Sequence, residues 1–418
     1  MAEGRRQQPA AEVPASVAAM RLVNLSLVLR QLRVQSPMSR VEIADATGLH
    51  RTTVSNLMSE LLERRLVREA GTEHAGAIGR PRRGVALHGA HIGALGLEVN
   101  VDYIAVHGTD LSGRALVERR FAFDAVGAGP DRTLRRLGTA TTEAIEATRR
   151  AGAAPVGIAV AIPGLVDVGR GIVRLAPNLG WHDVPLADHL AAAIGSPEIR
   201  ITVDNDANLS AFAEYLSGVA AGTPDLIYLT GEVGVGGGVV VGGMLHRGAD
   251  GFAGEVGHLP VDPAGGLCGC GRRGCWETKV GLAELVRLAM PSQAYGLDGA
   301  AVPDPEERSA QIARGLGEGD PRMLRATAEV GRWLGLGGAI MANLFNPRVI
   351  VVGGYFSALA EWLLPHAQAE LERLSVASTD GRCRFVASTF GFGAASRGAA
   401  MVVIKNLIDD PHKITTTP

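Results

Sequence analysis

Residues 254–277 read GEVGHLPVDPAGGLCGCGRRGCWE and contain three of the four cysteines in the chain. Cys268, Cys270 and Cys275 lie too close together for a framework of disulfides, and their spacing is better suited to a metal. Together with His258 they offer three thiolates and one imidazole, which satisfy tetrahedral Zn²⁺ with no position left open, as in a structural site. The alternative is three free thiols. We predict a structural zinc ion bound by these four residues.

Strand-like and helical patterns alternate along the chain from Ile92 onward. A first set has strands at 92–99, 103–107 and 115–123, a helix at 130–150, and strands at 156–161 and 199–203. A second set has strands at 225–229 and 237–241, helices between about 279 and 346, a strand at 348–352 and a helix near 356–374. Two such sets predict a two-lobed α/β body, and ligands of α/β proteins bind in crevices of this kind.

Helical patterns also fill the N-terminal part of the chain. Apolar residues recur at helical spacing over 17–32, and Ser36-Pro37 ends that run. Ser39, with Glu42 three residues later, is a capping-box pattern that predicts a short helix over 39–47. Another helix is predicted over 49–65, and its core-facing residues are Val54, Leu57, Leu61 and Leu62.

A short helix, a glycine-containing turn and a second helix are typical of a helix-turn-helix. The second helix offers base-reading side chains in its first turns, namely Arg51, Thr52, Thr53, Ser55 and Asn56. Strand-like runs at 66–69 and 84–87 flank a loop rich in Gly and Arg, which predicts a wing. At its tip, Arg80 and Arg82 suit the narrow minor groove of A·T-rich DNA. An ordinary helical hairpin and a basic linker are the alternatives.

The charges are distributed unevenly along the chain. Residues 1–88 hold 13 Arg, no Lys and 8 acidic residues, a net charge of +5, whereas the remaining residues carry −7. This asymmetry favours a nucleic-acid contact in the N-terminal part alone. The sequence has neither an apolar run long enough for a membrane span nor a secretory signal pattern, so we expect a cytoplasmic protein with no membrane partner.

These patterns together predict the domain organisation. We expect a flexible tail at 1–18, a winged helix-turn-helix domain at 19–88, a first lobe at 89–205 joined by a C-terminal helix at 392–410, and a second lobe with the zinc motif at 206–391. No repeat with a fixed period is present. The segment 290–320 is rich in acidic and small residues. It could be a lid, a dimer surface or a disordered stretch, and the sequence does not decide among them.

The stretch 254–277 resembles the signature of the ROK family (repressors, open reading frames and kinases), G-E-x-G-H followed by C-x-C-G-x-x-G-C-x-E. The motifs IPGLVD at 162–167, APNLGW at 176–181 and DNDAN at 204–208 also match in order, so the likeness covers roughly residues 20–405. It implies an α/β protein with an N-terminal winged helix-turn-helix and a two-lobed actin/hexokinase-like body. It further implies a bacterial, actinobacterial repressor of the xylose or N-acetylglucosamine type, a homodimer or homotetramer that binds operator DNA to control carbohydrate genes.

The same resemblance implies a hexose-like sugar in the cleft between the lobes. It places six residues around the sugar hydroxyls, namely Asn178, Asn205, Asp206, Glu255, His258 and Glu277. Carboxylates and amides suit a polyol because each can hold two adjacent hydroxyls. His258 would coordinate zinc through one nitrogen and face the sugar through the other. Taken singly, each carboxylate also fits a surface residue or a helix cap, so the prediction depends on the set.

The kinases of the family are the alternative class, and they use an Asp base at the position that matches Asp206. They carry a phosphate loop like Asp-x-Gly-Gly-Thr at the first hairpin. Here residues 97–102 read LEVNVD, with Val99 and Val101 where glycine is needed. The glycines at 230–238 and 353–354 fit a tight turn as well as a nucleotide. We therefore expect a sugar sensor without kinase activity, in which Asp206 holds a hydroxyl.

Overall fold

The computed structural model describes residues 17–70, 84–293, 304–376 and 383–411. The chain divides into two compact units, one of residues 1–89 with 405–418 and the other of residues 90–404. Over the described ranges, no helix is both long and apolar enough to cross a membrane.

The N-terminal unit contains the predicted helices and wing strands. Its elements are α1 (Val17–Val34), β1 (Met38–Ser39), α2 (Arg40–Thr47), α3 (Arg51–Glu63), β2 (Val67–Ala70) and β3 (Gly84–Leu87). The strands form an antiparallel sheet in the order β1-β3-β2. The capping box is formed at α2, because Ser39 Oγ accepts from the amide of Glu42 at 3.2 Å and the Ser39 amide donates to Glu42 Oε2 at 2.7 Å.

One face of each helix forms the core of this unit. Its fully or nearly fully buried side chains are Leu25, Val28, Leu29, Leu32, Ile43, Val54, Leu57, Met58 and Leu61. Leu62, which we expected in the core, is half-buried, and Met58 is buried instead. Residues three and four apart share a helix face, so Met58 lies among 54, 57 and 61, whereas Leu62, four residues after Met58, lies at the edge of that face. Helix α3 is also shorter at both ends than the predicted 49–65.

The first half of the body is built on a five-stranded mixed sheet. Its elements are β4 (Ile92–Val99), β5 (Tyr103–Asp110), β6 (Ala115–Ala122), α4 (Ala125–Arg150, broken at Gly129), β7 (Ala154–Ile162), β8 (Leu165–Asp167), β9 (Ile172–Ala176), β10 (Trp181–Val184), α5 (Leu186–Ile194), β11 (Arg200–Asn205) and α6 (Asp206–Ser217). The sheet order is β11-β7-β4-β5-β6, with β4, β7 and β11 parallel. Strands β8 to β10 form a separate small sheet that was not predicted from the sequence.

The second half repeats this architecture. Its elements are β12 (Leu226–Gly231), β13 (Val235–Val241), β14 (Met244–Leu245), α7 (Glu277–Val280), α8 (Leu282–Ala289), α9 (Pro305–Gly317), α10 (Pro321–Phe345), β15 (Val349–Gly354), α11 (Tyr355–Ala358), α12 (Ala360–Leu374) and β16 (Arg384–Ala387). The sheet order is β14-β13-β12-β15-β16, with β12, β15 and β16 parallel. The predicted alternation of strands and helices is therefore present in both halves.

Two further segments named in the sequence prediction contain helices. The C-terminal helix expected at 392–410 is present as α13 (Ala394–Asp409). It packs closely on β4 of the first sheet, since a Cβ at Gly96 would lie 1.9 Å from the Ser396 carbonyl oxygen. Residues from Lys405 onward group with the N-terminal unit. The segment 290–320 contains helix α9, while residues 294–303 lie outside the described part of the chain. The limits of the two lobes at 89–205 and 206–391 stay a prediction.

Trp276 anchors the cysteine-rich loop in the core of the second half. Its side chain is fully buried, and its indole Nε1 donates to the Trp333 carbonyl at 2.8 Å. A methyl group at Gly337 in α10 would lie 2.1 Å from the indole ring. Helix α10 therefore needs glycine where it passes the indole, despite the low helix propensity of glycine.

This close approach predicts the effect of one added methyl group. Gly337→Ala should lower the free energy of unfolding by about 1–3 kcal/mol, because overpacking outweighs the gain in helix propensity. Gly317→Ala, at the end of α9, is the matched control, since a methyl group added there would have nothing within 4 Å. Urea unfolding of both variants measures the difference, and equal midpoints would contradict the close packing of α10 on the indole.

Candidate functional site

All six residues predicted to surround a ligand line one cavity of the body. They are Asn178, Asn205, Asp206, Glu255, His258 and Glu277. The cavity is also lined by the turns of the β4–β5 and β12–β13 hairpins and by the loop 251–255. The structure thus brings together side chains that are up to about a hundred residues apart in the sequence.

Asn205 and Asp206 lie where strand β11 ends and helix α6 begins. Asn205 caps α6, because its Oδ1 accepts from the Asn208 amide at 3.1 Å, and its Nδ2 donates to the Gly164 carbonyl at 3.1 Å. Burial raises the pKa of Asp206 to about 6, and the nearby charge of Asp204 adds to this rise. Asp206 is thus an acid with a perturbed pKa in a cleft, as is common at functional sites.

The Asp204 carboxylate is held by a bidentate ion pair. Arg247 donates to its two oxygens at 2.8 and 2.6 Å. Such a pair fixes both side chains, since the planar guanidinium matches a carboxylate in geometry. Both oxygens of Asp204 are therefore occupied by Arg247, whereas Asp206 is the acid of this segment that lines the cavity.

His258 lies between two carboxylates. Its Nε2 is 3.8 Å from Glu255 Oε2, and its Nδ1 is 3.6 Å from Glu277 Oε1. A short 3-10 turn at Val256–His258 positions the histidine, and Glu277 is the first residue of α7. The two ring nitrogens of His258 therefore face different groups.

The side chains of His258, Cys268, Cys270 and Cys275 converge, and their ligand atoms all lie within 4.8 Å of one another. His258 Nδ1 is 3.6 Å from Cys268 Sγ, and the sulfurs of Cys270 and Cys275 are 3.6 Å apart. Tetrahedral Zn²⁺ with ordinary bond lengths separates its ligand atoms by about 3.5–3.8 Å. The donor set and its spacing thus fit zinc.

Glycine at 274 makes the cysteine loop possible. Gly274 has φ +70°, and a Cβ there would lie 1.7 Å from the Asp262 carbonyl oxygen. No L side chain fits such a close approach of two backbone segments. This turn directly precedes Cys275 and directs it toward the other ligands.

Glu232, which was not predicted from the sequence, lines the same cavity. It lies in the β12–β13 turn, and its Oε2 accepts from Asn100 Nδ2 at 2.5 Å. Asn100 also donates to the Tyr103 hydroxyl at 3.1 Å, and this hydroxyl donates to the buried Glu98. Burial raises the pKa of Glu98 to about 7. The signal for Glu232 in the sequence was an acidic residue inside the glycine-rich run 230–238.

The glycine pair at 353–354 has a packing explanation. A Cβ at Gly353 would lie 1.8 Å from the Tyr228 hydroxyl, and one at Gly354, where φ is +57°, would lie 2.2 Å from the Gly231 carbonyl oxygen. Close packing of β15 against β12 is therefore sufficient to require glycine at both positions.

Five of the predicted DNA-reading residues lie on α3. Arg51, Thr52 and Asn56 are exposed, while Thr53 and Ser55 are half-buried. Wing residues Arg80 and Arg82 lie outside the described part of the chain.

Comparison with known proteins identifies the body. The sequence profile of the ROK family matches residues 94–406. The chain belongs to the ROK family. A second profile, that of the IclR helix-turn-helix domain, matches residues 22–71. The predicted ROK membership and the predicted fold are thus confirmed.

Several ROK proteins are similar over nearly the whole chain. The xylose repressor of Caldicellulosiruptor bescii is 28% identical over 398 residues, covering 94% of this chain and 98% of that protein. The crystal structure of a ROK family transcriptional regulator, a homologue of the E. coli MLC protein, matches with a TM-score of 0.75 and 26% identity. The match covers 94% of this chain and 98% of the chain in that structure.

A ROK kinase is similar over a smaller part. The structure of a ROK family glucokinase from Streptomyces griseus, solved with glucose and AMPPNP, matches with a TM-score of 0.63 and 31% identity. The match covers 74% of this chain and 98% of the glucokinase chain. The ROK body is thus shared with kinases, whereas the full-length likeness is to regulators.

The raised pKa of Asp206 predicts a pH-dependent cost to stability. The folded-state pKa of about 6 exceeds the unfolded value of about 3.9, so the folded protein holds the Asp206 proton more tightly than the unfolded chain does. The stability that this proton contributes is complete below about pH 3.9 and is lost as the pH rises through about 6. Asp206→Asn cannot ionise, so it should match the wild type near pH 4 and be more stable by about 1–3 kcal/mol near pH 7.5.

Thermal or urea unfolding at the two pH values tests this. The control is Asp188→Asn, an exposed residue of α5 in the same half of the body, which should change stability by less than about 0.5 kcal/mol. A destabilised Asp206→Asn protein at neutral pH would instead mean that the ionised carboxylate supports the fold.

Proposed function

We propose that this protein is a DNA-binding transcriptional regulator, a repressor of carbohydrate genes that acts in the cytoplasm and responds to a sugar in the cleft of its ROK body. The observation that carries the proposal is the presence, in one chain, of a winged helix-turn-helix unit and a cleft lined by carboxylates and amides. Relatives that match 84–94% of this chain support it, since their names include xylose repressors and the regulator NagC.

The first turns of α3 would read the operator. Arg51, Thr52 and Asn56 present exposed guanidinium, hydroxyl and amide groups, which are the side-chain types that pair with guanine and adenine edges in the major groove. Arg80 and Arg82 would add contacts in the minor groove. Two-fold operators are spaced by about one DNA turn, so a homodimer, alone or within a homotetramer, is the expected binding form.

The cleft would hold the sugar hydroxyls. Asp206, Glu255 and Glu277 supply acceptors, and Asn178 and Asn205 supply both donors and acceptors. Such a site discriminates strongly against analogues that lack a hydroxyl, because its polar groups would then be left unpaired. Sugar binding changes DNA affinity only if it stabilises one conformation of the body over another.

A structural zinc ion would be held by His258, Cys268, Cys270 and Cys275. The 3.6 Å separations between ligand atoms support this assignment. When bound, the ion supplies cross-linking of the loop and no open coordination position for catalysis. His258 would face the metal through Nδ1 and the sugar through Nε2.

Sensing rather than phosphorylation is favoured by the hairpin turns at the cavity. Phosphoryl transfer requires a cradle of backbone amides that positions the phosphates. At the β4–β5 turn, valines flank Asn100, and the side-chain amide of Asn100 is hydrogen-bonded to Glu232. Asp206 would therefore hydrogen-bond to a hydroxyl of the sugar without removing the proton of that hydroxyl.

We predict about one zinc ion per chain, bound tightly by the full tetrahedral set. Cys268→Ser should lose this metal and lower the melting temperature of the protein, because metal-binding free energy contributes to folding. Cys383→Ser removes the remaining cysteine, which is not part of the cluster, and should retain the metal. Elemental mass spectrometry on the purified proteins checks both, and metal retained in Cys268→Ser would refute the assignment.

Operator binding and its response to sugar test the regulator itself. An operator is first selected from random DNA with the full-length protein. Arg51→Ala and Asn56→Ala should each weaken binding to that operator by about 1–3 kcal/mol and relax its sequence preference, because each removes a base contact. Glu63→Ala, at the opposite end of α3, should keep the preference. Fluorescence anisotropy measures all four proteins.

Two further results would contradict the proposed function. One is operator binding that no sugar in a panel of xylose, glucose and N-acetylglucosamine changes. The other is steady formation of sugar phosphate from ATP and Mg²⁺ at rates on the order of 1–100 s⁻¹, the usual range for kinases.

A further inference from the structure

Acidic side chains line the cleft without any Lys or Arg among the described residues. Among the described residues that line it, four are carboxylates, Asp206, Glu232, Glu255 and Glu277, and none is Lys or Arg. His258 has Nδ1 turned toward Cys268. Zinc bound by three thiolates and a neutral imidazole would itself carry one net negative charge. No fixed cation of the cleft is thus available, among the residues described, to pair with an anionic ligand.

The guanidinium groups behind the cleft are already paired. Arg120 forms ion pairs with Asp304 and Glu306 and stacks 4.0 Å from the centre of the Tyr103 ring. Arg247 is held in its bidentate pair with Asp204. Turning either group toward a ligand would break these contacts and leave a carboxylate unpaired, which is costly.

Glu232 is fixed with its carboxylate in the cavity. Asn100 donates to it, and the Tyr103 hydroxyl lies 3.2 Å from the same oxygen. Gly234 in the same turn is close to one further acid, since a Cβ there would lie 3.0 Å from Glu277 Oε2. A hairpin turn can cradle phosphate with its amides, but an acidic side chain occupies this turn.

The cleft disfavours additional negative charge. Burial and the charges of Glu98 and Asp206 raise the pKa of Glu232 well above its ordinary value. A phosphate monoester, with a charge of roughly −1.5 to −2 at neutral pH, would add negative charge to a site where ionisation of Glu232 is already unfavourable. No Lys or Arg among the described lining residues would offset that charge. A neutral sugar would meet hydrogen-bond acceptors without this repulsion.

We propose that the cleft selects a neutral sugar and rejects anionic ligands, the phosphate ester of the same sugar and ATP included, with Glu232 as the residue that sets this preference. The inference rests on the proposed function, because it specifies the ligand of the same cleft. It names a charge class, so it applies equally to whichever neutral sugar fits.

Calorimetric titration of the full-length protein with matched ligands tests the inference. The pairs are glucose with glucose 6-phosphate and N-acetylglucosamine with its 6-phosphate, with xylose and AMPPNP added, each with and without Mg²⁺. For the sugar that binds, the ester should bind at least about tenfold more weakly, because like charges within a few ångström repel strongly. AMPPNP should show no binding, with or without Mg²⁺.

Charge reversal at Glu232 provides the second arm. Glu232→Lys should raise the affinity for the ester relative to the neutral sugar by at least about tenfold. Glu146→Lys, the same change at an exposed position of α4, should leave this ratio within about twofold, since solvent screens distant charges. If Glu232→Lys no longer binds the neutral sugar, Glu232→Gln replaces it, with a smaller shift in the same direction expected.

The outcomes separate the two proposals. An ester or AMPPNP that binds as well as the neutral sugar, with or without Mg²⁺, would overturn the charge inference and leave the regulator proposal standing. A ratio unchanged in Glu232→Lys would overturn the role of Glu232. If neither sugars nor esters bind, the proposed sugar site is wrong, and this inference fails with it.

Discussion

The packing of the Trp276 side chain in the core holds the functional region in place. Its indole packs against Gly337 and donates to the Trp333 carbonyl, and its backbone amide donates to the Leu259 carbonyl at 2.8 Å. The residues on either side, Cys275 and Glu277, belong to the cysteine cluster and to the wall of the cleft. One apolar anchor therefore sets the position of a metal ligand and of a ligand-binding carboxylate.

The cleft concentrates acids where an ordinary core would bury apolar groups. The free-energy cost of burying charge is visible in the raised pKa values of Glu98 and Asp206. Hydrogen bonds from Asn100 and Tyr103 offset part of this cost at the hairpin turns. Stability is thus given up locally in exchange for a surface rich in acceptors, a compromise common at functional sites.

The sequence predicted those features that local patterns encode. The capping box at Ser39, the alternation of strands and helices in the body, and the grouping of His258 with three cysteines needed only neighbouring residues or a family motif. The pairing of two-residue β1 with β3, the small sheet whose strands β9 and β10 flank Asn178, and the bond between Asn100 and Glu232 were not predicted. No periodicity marks such contacts, because tertiary packing alone determines them.

The position of Trp276 also has an optical consequence. The chain contains four tryptophans, and Trp276 is the one whose two sequence neighbours are a cluster cysteine and a cleft carboxylate. Indole emission depends on the polarity and the quenching groups around the ring, so the fully buried Trp276 should emit at shorter wavelength than an exposed indole, as should the equally buried Trp181. We therefore expect the emission of Trp276 to respond to changes in the cysteine loop and in the wall of the cleft.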